Sequence, residues 1–249
     1  MIQEYNQYTA EDHKVWKILF DRQSQNLADK ACKEYLHCLD QLSPALNGNT
    51  IPNFEQLNEL LLATSGWSIE IVPGMIPVND FFELLAKKKF CSSTWIRPLD
   101  KLDYLDEPDI FHDIFGHVPL LVHSCFSQFA HAFGKLGVKY REHVSIVEQL
   151  QRLYWFTIEF GTLTVNNETK VYGAGVISSY SETLHVLNKK TEIQNFNLDN
   201  VTTQSFVNTE IQQSYYSINN LSELLQLIPI LENYFEKIVN EKKVQYEIR

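Results

Sequence analysis

Residues 107–121 read EPDIFHDIFGHVPLL. The run sets two histidines, His112 and His117, among apolar side chains, with Asp113 as the one acidic residue between them. An imidazole in such surroundings must hydrogen-bond its ring nitrogens or bind something. In a regular helix a five-residue step turns about 500°, which would point the two rings about 140° apart. That is a worse placement than the i, i+4 histidines of a zinc-protease helix. Gly116 loosens the backbone, however, and Pro119 biases Val118 away from helical dihedrals. A helix ending near Gly116 would let both rings converge. A lone histidine here is most simply a hydrogen-bonded core residue. Two of them point to a metal, which needs at least one further ligand from elsewhere in the chain.

The candidate is Glu159, the only charged side chain in LYWFTIEF, residues 153–160. A carboxylate buried there is costly unless a cation or strong donors meet it. Either it reaches solvent or a salt bridge near the helix end, or it joins the histidines. Two imidazoles and one carboxylate on one face leave about three of six coordination positions open, the pattern of non-haem iron(II) oxygenases. Zinc with the same ligands serves hydrolases, and spacing does not choose between the two metals. A helical binding module with structural histidines is a third reading. Asp109 and Asp113 are further acidic residues beside the pair, placed for supporting roles.

The 249 residues allow one large domain or two small ones, and 44% hydrophobic with 12% aromatic content is enough for a sizeable core. The net charge is 21 − 31 = −10 and the sequence pI is about 5.3, with no basic face or arm, which argues against nucleic acid as a partner. The Lys87-Lys88-Lys89 run reads as a solvated helix end. Cys32, Cys38, Cys91 and Cys125 show no metal or redox spacing and fit free thiols in a reducing compartment. The first residues hold no apolar signal region and no run reaches membrane-spanning length, so we expect a cytoplasmic protein without a membrane partner.

Along the chain, Thr9 begins a capping box with Asp12. Helical spacing follows through Leu42, with a break near Ser24 to Asp29. Asn53 caps a third helix that stops at Gly66. Trp67 to Val72 alternates as a short strand, Asn79 caps DFFELLAKKKF, and Cys91 to Ile96 reads as a second strand. AHAFGKLGVKY is helical but interrupted by Gly134 and Gly137. Ser145 and Glu148 form another capping box, opening a helix that ends at Gly161. Residues 188–209 are polar and loop-rich. Leu221 to Val239 is a last amphipathic stretch bent by Pro229. The expected fold class is mainly α with a few short β-strands, in a single domain over 1–249.

EPDIFHDIFGHVPLL, YWFTIEF and YGAGVISS, in this order, resemble the signatures of the pterin-dependent aromatic amino acid hydroxylases, most closely the bacterial phenylalanine-hydroxylating branch. The resemblance runs from YTAEDHKVW to the last helix. YGAGVISS is not a dinucleotide loop, since it lacks the third glycine and the strand-to-helix setting. The resemblance implies a monooxygenase of phenylalanine catabolism that converts L-phenylalanine to L-tyrosine. It would use O₂, iron(II) and tetrahydrobiopterin or a related tetrahydropterin, one oxygen atom entering the ring and the other leaving on the pterin. Tyrosine or tryptophan hydroxylation is the alternative within the family.

By the same resemblance His112, His117 and Glu159 bind the iron. Arg97 holds the amino acid carboxylate, a task that suits a guanidinium fork, and Asp109 orients it. Trp155, Phe160, Ser178 and Ser179 line the substrate pocket. The pterin stacks on Phe81, with backbone at Gly74 and Ile76 along its edge and Asp113 near it. Taken from the residues alone, Arg97 fits a surface arginine better than a binding residue, and Phe81 fits the core face of a helix equally well. Two positions depart from the family. Leu105 stands where animal members have threonine. Asn208, aligned through NTEIQ, stands where phenylalanine-hydroxylating members have Val or Ile and tyrosine-hydroxylating members have Asp, so we place it in the substrate pocket as a residue able to meet a polar ring. The animal members' regulatory domain and tetramerisation helix have no counterpart in the sequence, and a monomer or homodimer is expected.

Overall fold

Thr9 opens the chain's first long helix as its sequence announces. Its hydroxyl accepts from the Asp12 N–H, and the Asp12 carboxylate accepts from the Thr9 N–H at 2.7 Å. The structure, a computed structural model, describes residues 1–103 and 107–247. Helix α1 (Ala10–Leu27) buries Val15, Trp16 and Leu19. The break expected near Ser24 to Asp29 falls later, because α2 (Lys33–Gln41) begins only after Cys32. Gln23 and Asn26 look like a boundary by polarity, yet both are buried within α1, and the Gln23 amide donates to the Ile177 carbonyl at 2.6 Å.

Asn53 caps α3 (Phe54–Thr64), accepting from the Glu55 and Gln56 N–H groups, and Gly66 leaves the helix at φ 74°. Strand β1 (Ser68–Ile71) follows. Helix α4 (Val78–Ala86) starts directly after Pro77, so Asn79 lies inside its first turn and is not the cap. The lysine run stands at the helix end only in part: Lys87 is the exposed C-cap of α4. Lys88 turns at φ 54° and Lys89 opens β2 (Lys89–Ser92), which starts and stops earlier than the expected strand over Cys91 to Ile96. β1 and β2 pair in parallel, with Ile69 opposite Phe90.

His112–His117 form a π-helical turn, and a 3₁₀ turn over Pro119–Val122 follows. Val118 between them stays helical at φ −62°, ψ −38°, against the expected bias from Pro119. Helix α5 (Ser124–Lys139) is uninterrupted. Its glycines are contact sites rather than breaks: a Cβ on Gly134 would stand 2.4 Å from the Ala86 nitrogen, and one on Gly137 2.1 Å from the Phe82 ring. They let α5 lie against α4 at backbone distance.

Helix α6 (Val144–Tyr154) begins after His143, placing Ser145 inside the first turn instead of at the cap. It passes into a second π-helical turn, Trp155–Glu159, and stops at Phe160. β3 (Thr162–Val165) and β4 (Glu168–Val171) form a hairpin whose two-residue loop, Asn166-Asn167, takes φ 51° and 65°. Asparagine tolerates that conformation, and the hairpin's right-handed twist demands it. Then come α7 (Ala174–Ser178), α8 (Tyr180–Val186), β5 (Ile193–Asn195), α9 (Leu198–Thr203), β6 (Tyr215–Ile218) and α10 (Ser222–Glu247). The stretch expected to be loop-rich thus holds β5 and α9, and α10 runs through Pro229 as one helix.

The strand order β4-β3-β6-β5 makes a small sheet with β3, β6 and β5 mutually parallel. The fold is mainly α with short strands. One apolar cluster extends from Val15 to Phe235 and includes Trp16, Trp67, Phe111, Phe115, Phe129 and Phe133. The two π-helical turns come together where Glu159 of the second meets His117 of the first.

Candidate active site

A π-type turn bonds residue i to i+5, so side chains five apart stand on one face. This is how the two histidines converge. The helix does not end at Gly116 but widens around it. The second turn repeats the device, with the Phe160 N–H bonded to the Trp155 carbonyl five residues back at 2.9 Å. His112 Nε2 lies 3.2 Å from His117 Nε2. Glu159 lies 2.9 Å from His117 Nε2 through Oε1 and 3.7 Å from His112 Nε2 through Oε2. Gly116 has a different task from the one its flexibility suggests: a Cβ there would stand 2.9 Å from the Ala174 carbonyl oxygen, so its absence lets α7 close on the histidine turn.

These separations suit an ion. Adjacent ligands at about 2.1 Å from an octahedral centre are about 3 Å apart. Ser178 Oγ donates to the Ala174 carbonyl at 2.8 Å and meets His112 Nδ1 at 2.9 Å. With the hydroxyl proton so committed, the serine accepts from Nδ1–H, and the Nε2 lone pair is left facing Glu159. Burial pushes the His112 imidazole down to about 4, with the Glu159 charge only partly opposing, so the ring is neutral at pH 7. Burial raises the Glu159 carboxyl, but the His117 and His112 rings outweigh it and hold it below the ordinary glutamate value. Two imidazole nitrogens and a carboxylate are the donor set that a divalent first-row metal takes. Among the described residues this is the one group of histidine, cysteine or acidic side chains so assembled.

Arg97 is a buried residue, 5% exposed, not a surface arginine. Its Nε and Nη2 donate to the two oxygens of Asp109 at 2.8 Å each, and its Nη1 donates to the Leu102 carbonyl at 3.0 Å. Asp109 Oδ1 also accepts from the His112 N–H at 3.0 Å. One carboxylate therefore fixes both the arginine and the start of the histidine turn.

Two clefts meet at the three donors. The first, about 440 Å³, is lined by Arg97, Trp155, Phe160, Ser178 and Ser179 together with His112 and Glu159. The second, about 390 Å³, is lined by Gly74, Ile76, Phe81, Asp113, His117 and Tyr154, again with His112 and Glu159. Asn208 lines both. Phe81 is part-buried and meets Tyr154 edge-on at 5.0 Å. Burial pushes the Asp113 carboxyl up to about 7, against the pull of the Ser93 N–H at 2.8 Å. Leu105 lies outside the described residues.

The sequence reading missed four side chains that shape this region. Tyr154 hydrogen-bonds Glu159, and its signal was present: it precedes Glu159 by the same five residues that separate the histidines. Phe90 packs its ring 4.6 Å from that of His117. Phe206 stacks on Trp155 at 4.4 Å, and Gln212 accepts from the Trp155 indole N–H at 2.9 Å. The last two come from a distant loop and carry no local pattern.

Residues 3–248 match the profile of the biopterin-dependent aromatic amino acid hydroxylases. The chain belongs to that family. It is 41% identical over 229 residues to the phenylalanine-4-hydroxylase of Pseudomonas aeruginosa, an alignment covering 92% of this chain and 82% of that one. It is 40% identical over 225 residues to the phenylalanine-4-hydroxylase of Ralstonia nicotianae, covering 90% and 71%. Its fold superposes with a TM-score of 0.88, at 37% identity and covering 95% of this chain and 86% of the other, on the Chromobacterium violaceum phenylalanine hydroxylase crystallised with iron(III) and 7,8-dihydrobiopterin. Iron and a biopterin are thus the cofactors of this hydroxylase family's chemistry, and the two clefts here converge on a donor set that fits the first of them.

Proposed function

We propose that this protein hydroxylates L-phenylalanine to L-tyrosine, using O₂, a tetrahydropterin and iron(II) held by His112, His117 and Glu159. The observation that carries the reading is the meeting of those three donors at the junction of two clefts, one with a buried arginine and one with a half-buried phenylalanine. Iron and reduced pterin, when bound, supply the activation of O₂. The chain's own side chains do the rest. Ser178 holds the His112 Nδ1 proton, so that Nε2 is available to the metal. Arg97, aimed by Asp109, takes the substrate carboxylate, while Trp155 and Phe160 bound the aromatic ring at the other end. Phe81 offers a face to the pterin, the backbone at Gly74 and Ile76 borders its edge, and Asp113 offers a carboxyl group. Ser179 lines the substrate cleft beside Ser178.

Asn208 supports a second reading within the family. Its amide borders both clefts, where it can meet a hydroxylated ring, so tyrosine or tryptophan is the alternative substrate. Comparing kcat/KM for the three amino acids separates the two readings. We also read residues 1–249 as a single catalytic domain, a reading supported by the one continuous core. The remaining proposals are a monomer or homodimer in the cytoplasm with neither nucleic acid nor membrane as a partner. No described helix is long and apolar enough to cross a membrane.

The test is purified protein with iron(II), a tetrahydropterin, O₂ and L-phenylalanine, with tyrosine measured by chromatography. Tyrosine should appear only with all four present. Iron bound at one equivalent with no tyrosine would overturn the assignment. Activity that persists without O₂ and follows zinc content would instead make it a hydrolase.

A further inference from the structure

The Trp155 indole is held on three sides. Phe206 stacks on it at 4.4 Å with 15° between the planes, and Phe160 packs against it at 4.6 Å and 39°. Its N–H donates to Gln212 Oε1 at 2.9 Å. Stacking alone leaves a ring free to slide and turn in its own plane, whereas a hydrogen bond at its edge does not. Gln212 is itself fully engaged. Its Nε2 donates to the Val207 carbonyl at 2.7 Å and the Glu210 carbonyl at 3.1 Å, so the amide cannot flip and its oxygen must face the indole. The Gln212 backbone N–H then donates to Glu182 Oε1 at 3.1 Å, and the same oxygen accepts from the Tyr215 hydroxyl.

Glu182 is 5% exposed, and among the described residues no lysine or arginine pairs with it. A buried carboxyl without a cation is costly and survives where its hydrogen bonds are needed. Here they join three separate parts of the chain: α8, which carries Glu182; β6, which carries Tyr215; and the loop before β6, which carries Phe206 and Gln212.

We propose that Glu182 and Gln212 are positioning residues for the hydroxylation. Glu182 anchors the Gln212 backbone, Gln212 fixes the plane of the Trp155 indole, and the indole sets where the substrate ring stands relative to His112 and Glu159. The inference rests on the phenylalanine-hydroxylase reading for its functional half only, since the anchoring of Trp155 can be tested without turnover.

The experiment uses Glu182→Ala, Glu182→Gln and Gln212→Met in the full chain. The first readout is the indole N–H resonance of Trp155 in the metal-free protein, assigned by its loss in Trp155→Phe among the signals of the four tryptophans. In Glu182→Ala and Gln212→Met it should shift and exchange faster with water, while the Trp16, Trp67 and Trp95 signals hold. Glu182→Gln keeps an acceptor oxygen for both donors and should restore the wild-type signal. The second readout is tyrosine formed per tetrahydropterin oxidised. A buried hydrogen bond of ordinary strength corresponds to about a fivefold effect, so this ratio should fall about fivefold in the two disruptive variants and recover in Glu182→Gln. Variants that melt earlier but leave the Trp155 signal and the ratio unchanged would reduce Glu182 to a structural residue and overturn the proposal. Should the wild type form no tyrosine at all, the function assignment fails, and the indole signal still decides whether Glu182 orients Trp155.

Discussion

Replacing Asp109 by asparagine should damage stability and substrate binding together. Both carboxylate oxygens are doubly used: Oδ2 accepts from the Arg97 N–H at 3.1 Å and Nε at 2.8 Å, and Oδ1 accepts from Arg97 Nη2 at 2.8 Å and the His112 N–H at 3.0 Å. An asparagine can offer only one oxygen. Whichever way it turns, its NH₂ faces two donors, and the guanidinium stays buried without a counter-charge. Removing one partner of a buried ion pair costs about 3–5 kcal/mol. For a chain of this size each kcal/mol lowers the melting temperature by about 2–4 °C, which gives a fall of about 6–20 °C. Arg97, no longer aimed, should also lose a charged hydrogen bond to the substrate carboxylate worth about 2 kcal/mol, a rise in KM of about thirtyfold. Calorimetry and steady-state kinetics on Asp109→Asn measure both. A melting temperature within about 2 °C of wild type, or an unchanged KM for phenylalanine, would refute the coupling of the arginine clamp to the histidine turn through this carboxylate.

Two further outcomes follow from single contacts. Gly137→Ala would force a methyl to within 2.1 Å of the Phe82 ring, so α5 must move off α4 at a cost of about 1–3 kcal/mol or more, read as an earlier thermal or urea midpoint. Burial raises the Glu182 carboxyl above the ordinary glutamate value, opposed by the Tyr215 hydroxyl, the Gln212 N–H and the nearby His185. The folded state therefore holds this proton to higher pH than the unfolded chain does. Glu182 thus costs stability progressively as pH rises from the unfolded toward the folded value, and the cost is absent below both. The melting temperature of Glu182→Gln relative to wild type should accordingly climb as pH rises above the ordinary glutamate range, and a flat difference would contradict the upward shift.

What the sequence made legible were features written in a single segment. The Thr9 capping box, the Asn53 cap and the exit at Gly66 all fell where local chemistry placed them. Local readings failed where packing set the phase. Asn79 and Ser145 are good caps by type, but each lies inside its helix, which starts one residue earlier, at Val78 and at Val144. Gly134 and Gly137 read as helix breakers and act as contact points, a difference visible only once α4 lies against α5. Gln23 is polar yet fully buried in α1, where its amide donates to a carbonyl of α7, a partner no local pattern announces.

The site divides in the same way. His112, His117 and Glu159 stood out as polar groups in apolar runs, and that contrast depends only on sequence. The geometry that unites them did not, since a regular helix would have kept the rings apart and it is the π-type turn over His112–His117 that brings them together. Phe206, Gln212 and Glu182 had no local mark at all: a glutamine in a polar loop looks the same whether or not an indole donates to it.

The most direct test of the account is where iron(II) goes. Crystals equilibrated with iron(II) and measured across the iron absorption edge should give a single anomalous peak about 2.0–2.3 Å from His112 Nε2, His117 Nε2 and a Glu159 carboxylate oxygen, with water in the remaining positions. A peak elsewhere, or an ion held by the two imidazoles while Glu159 turns away, would contradict the claim that these three side chains form one metal site.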